Sequence, residues 1–285
     1  DRDISPGRLI PDGVLVESGD PHHGVAVPFR DGSVLITVGT EKERHTIQYR
    51  DAEGEVISET TDYPGVHGEA VATDGAVAFG CTDGPVVFDG AEFHKITPAE
   101  GVDYQRSGNL AGHAGSPIIL GDYKVDKDAD LERPTQINLI DTRDNTMQQV
   151  ELDSSYWFRS LGRGPAGEAL VLTYDGHLKV IDPESGEITA DIPAIEAWEE
   201  KDEWQEPGPI LQASGDIAYI TDAEKQELVL VDLTSGEVTE RFSLEVAPVE
   251  IAVVDGIAAA DAEQLAGGHD HGHEHDHDGH DHEGH

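Results

Sequence analysis

The sequence predicts an all-β protein, a β-propeller of four-stranded blades, on three observations. Short runs rich in Val, Ile, Leu and Thr recur between clusters of Gly, Asp, Pro and Ser, the pattern of strands separated by turns. Helical periodicity is weak throughout. One strand type, apolar–x–Asp followed by a turn, returns at Asp51, Asp89, Asp141, Asp182 and Asp232. Its average spacing of about 45 residues falls in the 40–50 range of propeller repeats. A sandwich of the same strands has no need of a common period.

The elements follow in order along the chain. A partial strand region, GRLIPDGVLVESG (7–19), precedes the first repeat. Five full units run from about residue 22 to 245. Their strongest strands are SVLITVGT (33–40), AVAFGCTDG (76–84), PIILGDY (117–123), EALVLTYDG (168–176), IAYITD (217–222) and ELVLVD (227–232). Two of the repeat turns nearly coincide, DPESGEIT (182–189) and DLTSGEVT (232–239). The acidic stretch IEAWEEKDEW (195–204) reads as an excursion between blades. A second partial strand, VEIAVVDG (249–256), closes the strand pattern, giving about six blades' worth of strand in all. Residues 269–285, HDHGHEHDHDGHDHEGH, hold 8 His, 6 acids and 3 Gly. Nothing there can pack a core, which predicts a disordered tail. The expected organisation is a propeller domain at 1–268 and a metal-binding tail at 269–285.

Charge excludes several function classes. Acids total 59 and Lys plus Arg 18, a formal charge of −41. Such a surface repels phosphate backbones and anionic lipid, so neither nucleic acid nor a membrane surface is an expected partner. No apolar run approaches the roughly 18 residues that span a bilayer. The acidity fits adaptation to salt or the handling of cations. The lone Cys81 rules out an intramolecular disulfide and, read as a small buried hydrophobe, is no ligand. The chain begins at Asp1 without a Met or a basic and apolar leader, as after removal of a signal segment or in a fragment.

The histidines outside the tail carry the chemistry. The first three repeats open with PHHGVAV (21–27), VHGEAVA (66–72) and LAGHAGS (110–116), so His23, His67 and His113 recur at spacings of 44 and 46 residues. First strands of blades line a propeller's channel, and three imidazoles in phase predict a shared zinc site. Zinc takes three or four N, O or S ligands in tetrahedral array. His22 and Glu69 are the candidates for the remaining contact. Later repeats lack the feature. His45, His94 and His177 read as solvated residues of outer strands and turns, and Trp157, Trp198 and Trp204 as packing. In the tail, His269, His271, His273, His275, His277, His280, His282 and His285 alternate with carboxylates and predict several weak zinc sites. Fixing a flexible chain costs roughly 1–2 kcal/mol per residue, so those sites are weaker than a preformed one. No phosphate loop, GxSxG elbow or HExxH motif is present, and no enzyme activity is expected.

Five segments, PHHGVAVP (21–28), HGEA (67–70), FGCTDG (79–84), GNLAGH (108–113) and VLTYDGHLKVID (171–182), resemble the AztD-type periplasmic zinc metallochaperones. The resemblance spans about residues 20–256. It implies a propeller that passes zinc to the solute-binding protein of a zinc ABC transporter, a periplasmic or other extracytoplasmic location, and a monomer. Members of that family carry His-rich segments, as this tail does, and have extra blades before the PHHG segment. Other roles consistent with the residues are a zinc store without a docking partner, a metal-dependent propeller hydrolase of the lactonase kind, and a plain interaction scaffold.

Overall fold

The computed structural model describes residues 16–254 apart from 18, 62 and 130. Among them are twenty strands in five antiparallel four-stranded sheets, each built from consecutive strands, with no α-helix. Blade one is β1 (Ala26–Pro28), β2 (Val34–Gly39), β3 (Arg44–Arg50) and β4 (Val56–Thr60). Blade two is β5 (Glu69–Val71), β6 (Val77–Phe79), β7 (Val86–Phe88) and β8 (Phe93–Lys95). Blade three is β9 (Leu110–Ala111), β10 (Ile118–Asp122), β11 (Gln136–Asp141) and β12 (Thr146–Glu151). Blade four is β13 (Leu161–Arg163), β14 (Ala169–Leu172), β15 (His177–Ile181) and β16 (Ile188–Pro193). Blade five is β17 (Leu211–Ser214), β18 (Ile217–Asp222), β19 (Glu227–Asp232) and β20 (Glu237–Ser243). This is a β-propeller, with β1, β5, β9, β13 and β17 as inner strands.

The core lies between blades. Leu35 and Ile47 pack against Phe79 and Phe88 across blades one and two. Ala70 and Ala78 meet Ile119 and Ile140 across blades two and three. Leu120 and Ile137 meet Val171 and Ile181 across blades three and four. Leu170 and Leu172 meet Leu211 and Ile220 across blades four and five. Central strands are covered on both faces, which is why they read as continuous apolar runs such as Val77-Ala78-Phe79 rather than as alternation.

The repeated Asp has a local cause. At the end of each third strand its Oδ1 accepts backbone N–H groups of the following turn. The donors are Glu53 and Glu55 for Asp51, Ala91 and Glu92 for Asp89, and Arg143 for Asp141. They are Glu184 and Ser185 for Asp182, and Thr234 and Ser235 for Asp232. These are Asx-turns, which orient the tight connection to the outer strand.

A second repeat marks equivalent residues on the inner strands. The amides of Thr37, Gly80, Asp122, Leu172 and Thr221 donate to the carbonyls of Val25, Gly68, Asn109, Ser160 and Ile210. The residues just before these, Gly24, His67, Gly108, Arg159 and Pro209, therefore ring one mouth of the channel. In blades one, three and five the second strand also returns a side-chain acceptor to the inner strand. Thr37 Oγ1 takes the Val25 amide at 2.8 Å, Asp122 Oδ1 the Asn109 amide at 3.2 Å, and Thr221 Oγ1 the Ile210 amide at 2.8 Å.

The acidic stretch at 195–204 is a non-helical connection from blade four to blade five. Trp198 anchors it, buried against Trp157 and donating from Nε1 to the Thr173 carbonyl at 3.0 Å. Trp204, expected to pack, is instead 60% exposed. Residues 249–254 are described and lie outside any strand. Most of the 7–19 segment, the 268/269 domain boundary and the tail lie outside the described residues. No helix among the described residues is long and apolar enough to cross a membrane.

Candidate metal centre

His67 sits at the mouth position of blade two, where backbone crowding fixes it. Gly68, at φ +76°, brings the chain so close to blade three that a Cβ there would lie 2.3 Å from the Gly108 carbonyl oxygen. That approach lets His67 Nδ1 donate to the same carbonyl at 3.3 Å. A carbonyl can only accept, so Nδ1 carries the proton and Nε2 keeps its lone pair. Burial lowers the His67 pKa, and the positive charges of Arg106, His23 and Arg44 lower it further, against the Gly108 hydrogen bond. The ring is thus held neutral and ready to ligate.

His23, one residue before the equivalent position in blade one, brings its ring to 5.0 Å from that of His67, edge to face at 72°. Two imidazoles that share a tetrahedral zinc through bonds of about 2.0–2.1 Å have ring centres about 5 Å apart. Arg44 Nη1 holds the His23 carbonyl at 3.3 Å. Glu69, two residues beyond His67, opens β5, and burial raises its pKa.

His22 is engaged elsewhere. Its Nδ1 donates to the Asp20 carbonyl at 2.8 Å, and its Nε2 accepts from Thr37 Oγ1 at 3.3 Å.

His113 stands apart from the pair. It lies five residues beyond Gly108, the blade-three equivalent of His67, a distance of up to roughly 16 Å along extended chain. It therefore follows β9, while His23 and His67 precede β1 and β5. There it lines a cleft at the opposite end of the channel with Val27, Phe29, Val71 and Asp74. Its Nδ1 accepts the Gly115 amide at 3.1 Å. Burial lowers its pKa, and the Arg163 charge adds to this. A count of 46 residues from His67 matches the average period, but the step from blade two to blade three is shorter. Phase by counting and register by hydrogen bonding diverge here.

The structure thus brings together two of the predicted residues, His23 and His67. Among the described residues no three His, Cys, Asp or Glu side chains converge on one point. The tail histidines from His269 to His285 lie outside the described residues. Cys81 is fully buried and its thiol is pushed up to about 12 by that burial. His94 and His177 pair with Asp89 and Asp191, each at 2.7 Å, within their own blades. Arg44 and Arg106 act on the pair and went unread in the sequence, because single arginines carry no pattern.

No family model matches the chain. The zinc chaperone AztD of Citrobacter koseri is 27% identical over 259 residues, covering 88% of this chain. This chain is similar to AztD over most of its own length. It spans 58% of the length of that curated relative. The structure of apo AztD from Citrobacter koseri superposes with a TM-score of 0.68 at 25% identity, covering 80% of this chain and 62% of that one. A second crystal structure of the same AztD gives 0.67, also at 25% identity, covering 80% and 61%. Dihydro-heme d1 dehydrogenase NirN, at 13% identity, aligns with a TM-score of 0.51 over 78% of this chain and 47% of its own. That likeness shows the fold alone.

Proposed function

We propose that this chain is a zinc chaperone of an extracytoplasmic compartment. It captures zinc and passes it to the solute-binding protein of a zinc ABC transporter, without catalysing a reaction. The observation that carries the reading is the pair of imidazoles, His23 and His67, at a spacing suited to one zinc ion, in a relative of a zinc chaperone. Zinc here is cargo. Two protein imidazoles give a site that binds and still leaves coordination positions open for incoming ligands, so exchange can proceed by stepwise replacement. The histidine-rich tail supplies further, weaker sites and collects the ion.

The test is a chelator competition titration of wild type and His67→Ala. Wild type should show one equivalent that binds at least tenfold more tightly than the rest, and the variant should lose it while keeping the weak sites. An unchanged tight equivalent in the variant would sink the assignment. Zinc-loaded wild type is then mixed with apo solute-binding protein. Transfer no faster than spontaneous dissociation would make the protein a store.

A further inference from the structure

The mouth that holds the histidine pair belongs to a wider face. In each blade the chain enters the inner strand, and leaves the second and fourth strands, at that end. The connections β10–β11, β12–β13 and β16–β17 therefore all lie on it. Over blades three and four these connections enclose a cleft of about 210 Å³, walled by Tyr156, Phe158 and Trp204 together with Glu132, Glu200 and Asp202. Phe158 adjoins Arg159, one of the residues that ring the channel mouth.

Trp204 is the anomaly of this face. Trp157 and Trp198 meet edge to face at 5.7 Å, and Arg159 lies 5.0 Å from the centre of the Phe158 ring. Trp204 is 60% exposed and has no ring or cation partner among the described residues. So large an aromatic left in water forgoes its burial free energy, and tryptophan is among the side chains that most often anchor protein interfaces.

The charge beside it is negative and largely uncompensated. The connection 195–206 holds six acids and one lysine. That lysine, Lys201, pairs with Glu224 at 2.6 Å, and of the six acids only Glu196 has a counter-ion among the described residues, Lys225 at 2.8 Å. Glu200 is held instead by the Tyr174 hydroxyl, which donates to its Oε2 at 2.8 Å. Two cations line the cleft from the β10–β11 connection. Lys124 is committed to Glu132 at 2.5 Å and to Asp122 at 3.5 Å, which leaves Arg133 alone against Glu200 and Asp202. Size then narrows the class of occupant. Clefts for organic ligands run about 300–1,000 Å³, and this one is smaller, on the scale of one long side chain. An open indole face beside carboxylates favours a cation.

We propose that this cleft is a docking point for the protein that receives the zinc, and that it takes a lysine or arginine side chain of that partner, laid on Trp204 and paired with Glu200 and Asp202. The inference rests on the chaperone reading above. An interface of ordinary size buries roughly 800 Å² on each side, a patch about 30 Å wide, so a partner seated in the cleft extends over the adjoining channel mouth. The docking residues and the histidine pair are separate sets, which makes them separable by substitution.

The test follows zinc from the loaded full chain into the apo solute-binding protein at rising acceptor concentration. Wild type is compared with Trp204→Ala, Trp204→Phe, and Glu200→Gln combined with Asp202→Asn. A chelator titration should show the same tight zinc equivalent in all four. Trp204→Ala should raise the acceptor concentration for half-maximal rate at least tenfold and the carboxamide pair severalfold, while Trp204→Phe recovers most of the loss and the limiting rate stays put. Added salt should weaken docking of wild type and barely affect the carboxamide variant. If all four half-saturate alike, or only the limiting rate or the tight equivalent changes, the docking point is overturned while the function proposed above stands. Competition by micromolar methylguanidinium would make the cleft a small-cation site, and Trp204-dependent dimerisation in sedimentation would make its occupant a second copy, either of which overturns the inference. Wild-type transfer no faster than spontaneous dissociation would overturn the proposed function itself.

Discussion

At the scale of single residues, the pair depends on neighbours that have no metal chemistry. Gly80 is the clearest case. A Cβ at that position would lie 1.6 Å from the Ser107 carbonyl oxygen and 2.7 Å from that of His67. The blade-two sheet and the segment at Ser107 that leads to β9 meet there with no room for a methyl group. Gly80→Ala should therefore destabilise the fold by about 2–3 kcal/mol, at the upper end of overpacking costs. It should also weaken the first zinc equivalent, because the His67 backbone must move. Urea unfolding and a chelator titration of the variant check this, and a stability change below about 0.5 kcal/mol would contradict it. The repeat motifs exposed His23 and His67 as candidates in the sequence. The tautomer of His67 was not legible, because it is set by the Gly108 carbonyl of another blade.

At the scale of elements, legibility followed locality. The Asp that ends each third strand makes its hydrogen bonds to the next few residues, so the sequence records it directly and all five turns were readable. The His113 position depends on which residue of β9 pairs with β10, a non-local property that residue counts average away. The same turns make a pH prediction. The Asp89 carboxyl is lowered to about 2, first by the Glu92 backbone N–H and also by His94. An unfolded Asp titrates near 3.9. A depressed native pKa gives stability that is complete above about pH 4 and lost as pH falls toward 2. Asp89→Asn keeps an acceptor oxygen but does not titrate. The variant should be less stable than wild type at pH 6, by less than about 1 kcal/mol because water screens so exposed a carboxylate. Urea midpoints at pH 6, 4, 3 and 2 should show the gap closing, and a gap constant across that range would refute the linkage.

At the scale of the whole molecule, the blades repeat but the side-chain ties at the mouth do not. Thr37, Asp122 and Thr221 clip the inner strands of blades one, three and five to their second strands. Blades two and four have Gly80 and Leu172 at the same place, with no oxygen to offer. The ring is thus fastened at alternate blades, and His67 belongs to an unfastened one. Its consequence is a matter of rates. Opening fluctuations at the mouth should be most frequent at the entrance to β5, so the Gly68 amide should exchange with solvent deuterium at least tenfold faster than those of Val25, Asn109 and Ile210. Equal exchange at all four would show that neighbouring blades stiffen the entrance without the clip. For the proposed zinc site, the absent clip should let an imidazole swing off the ion and return within one such opening, so that zinc could change hands without the propeller coming apart.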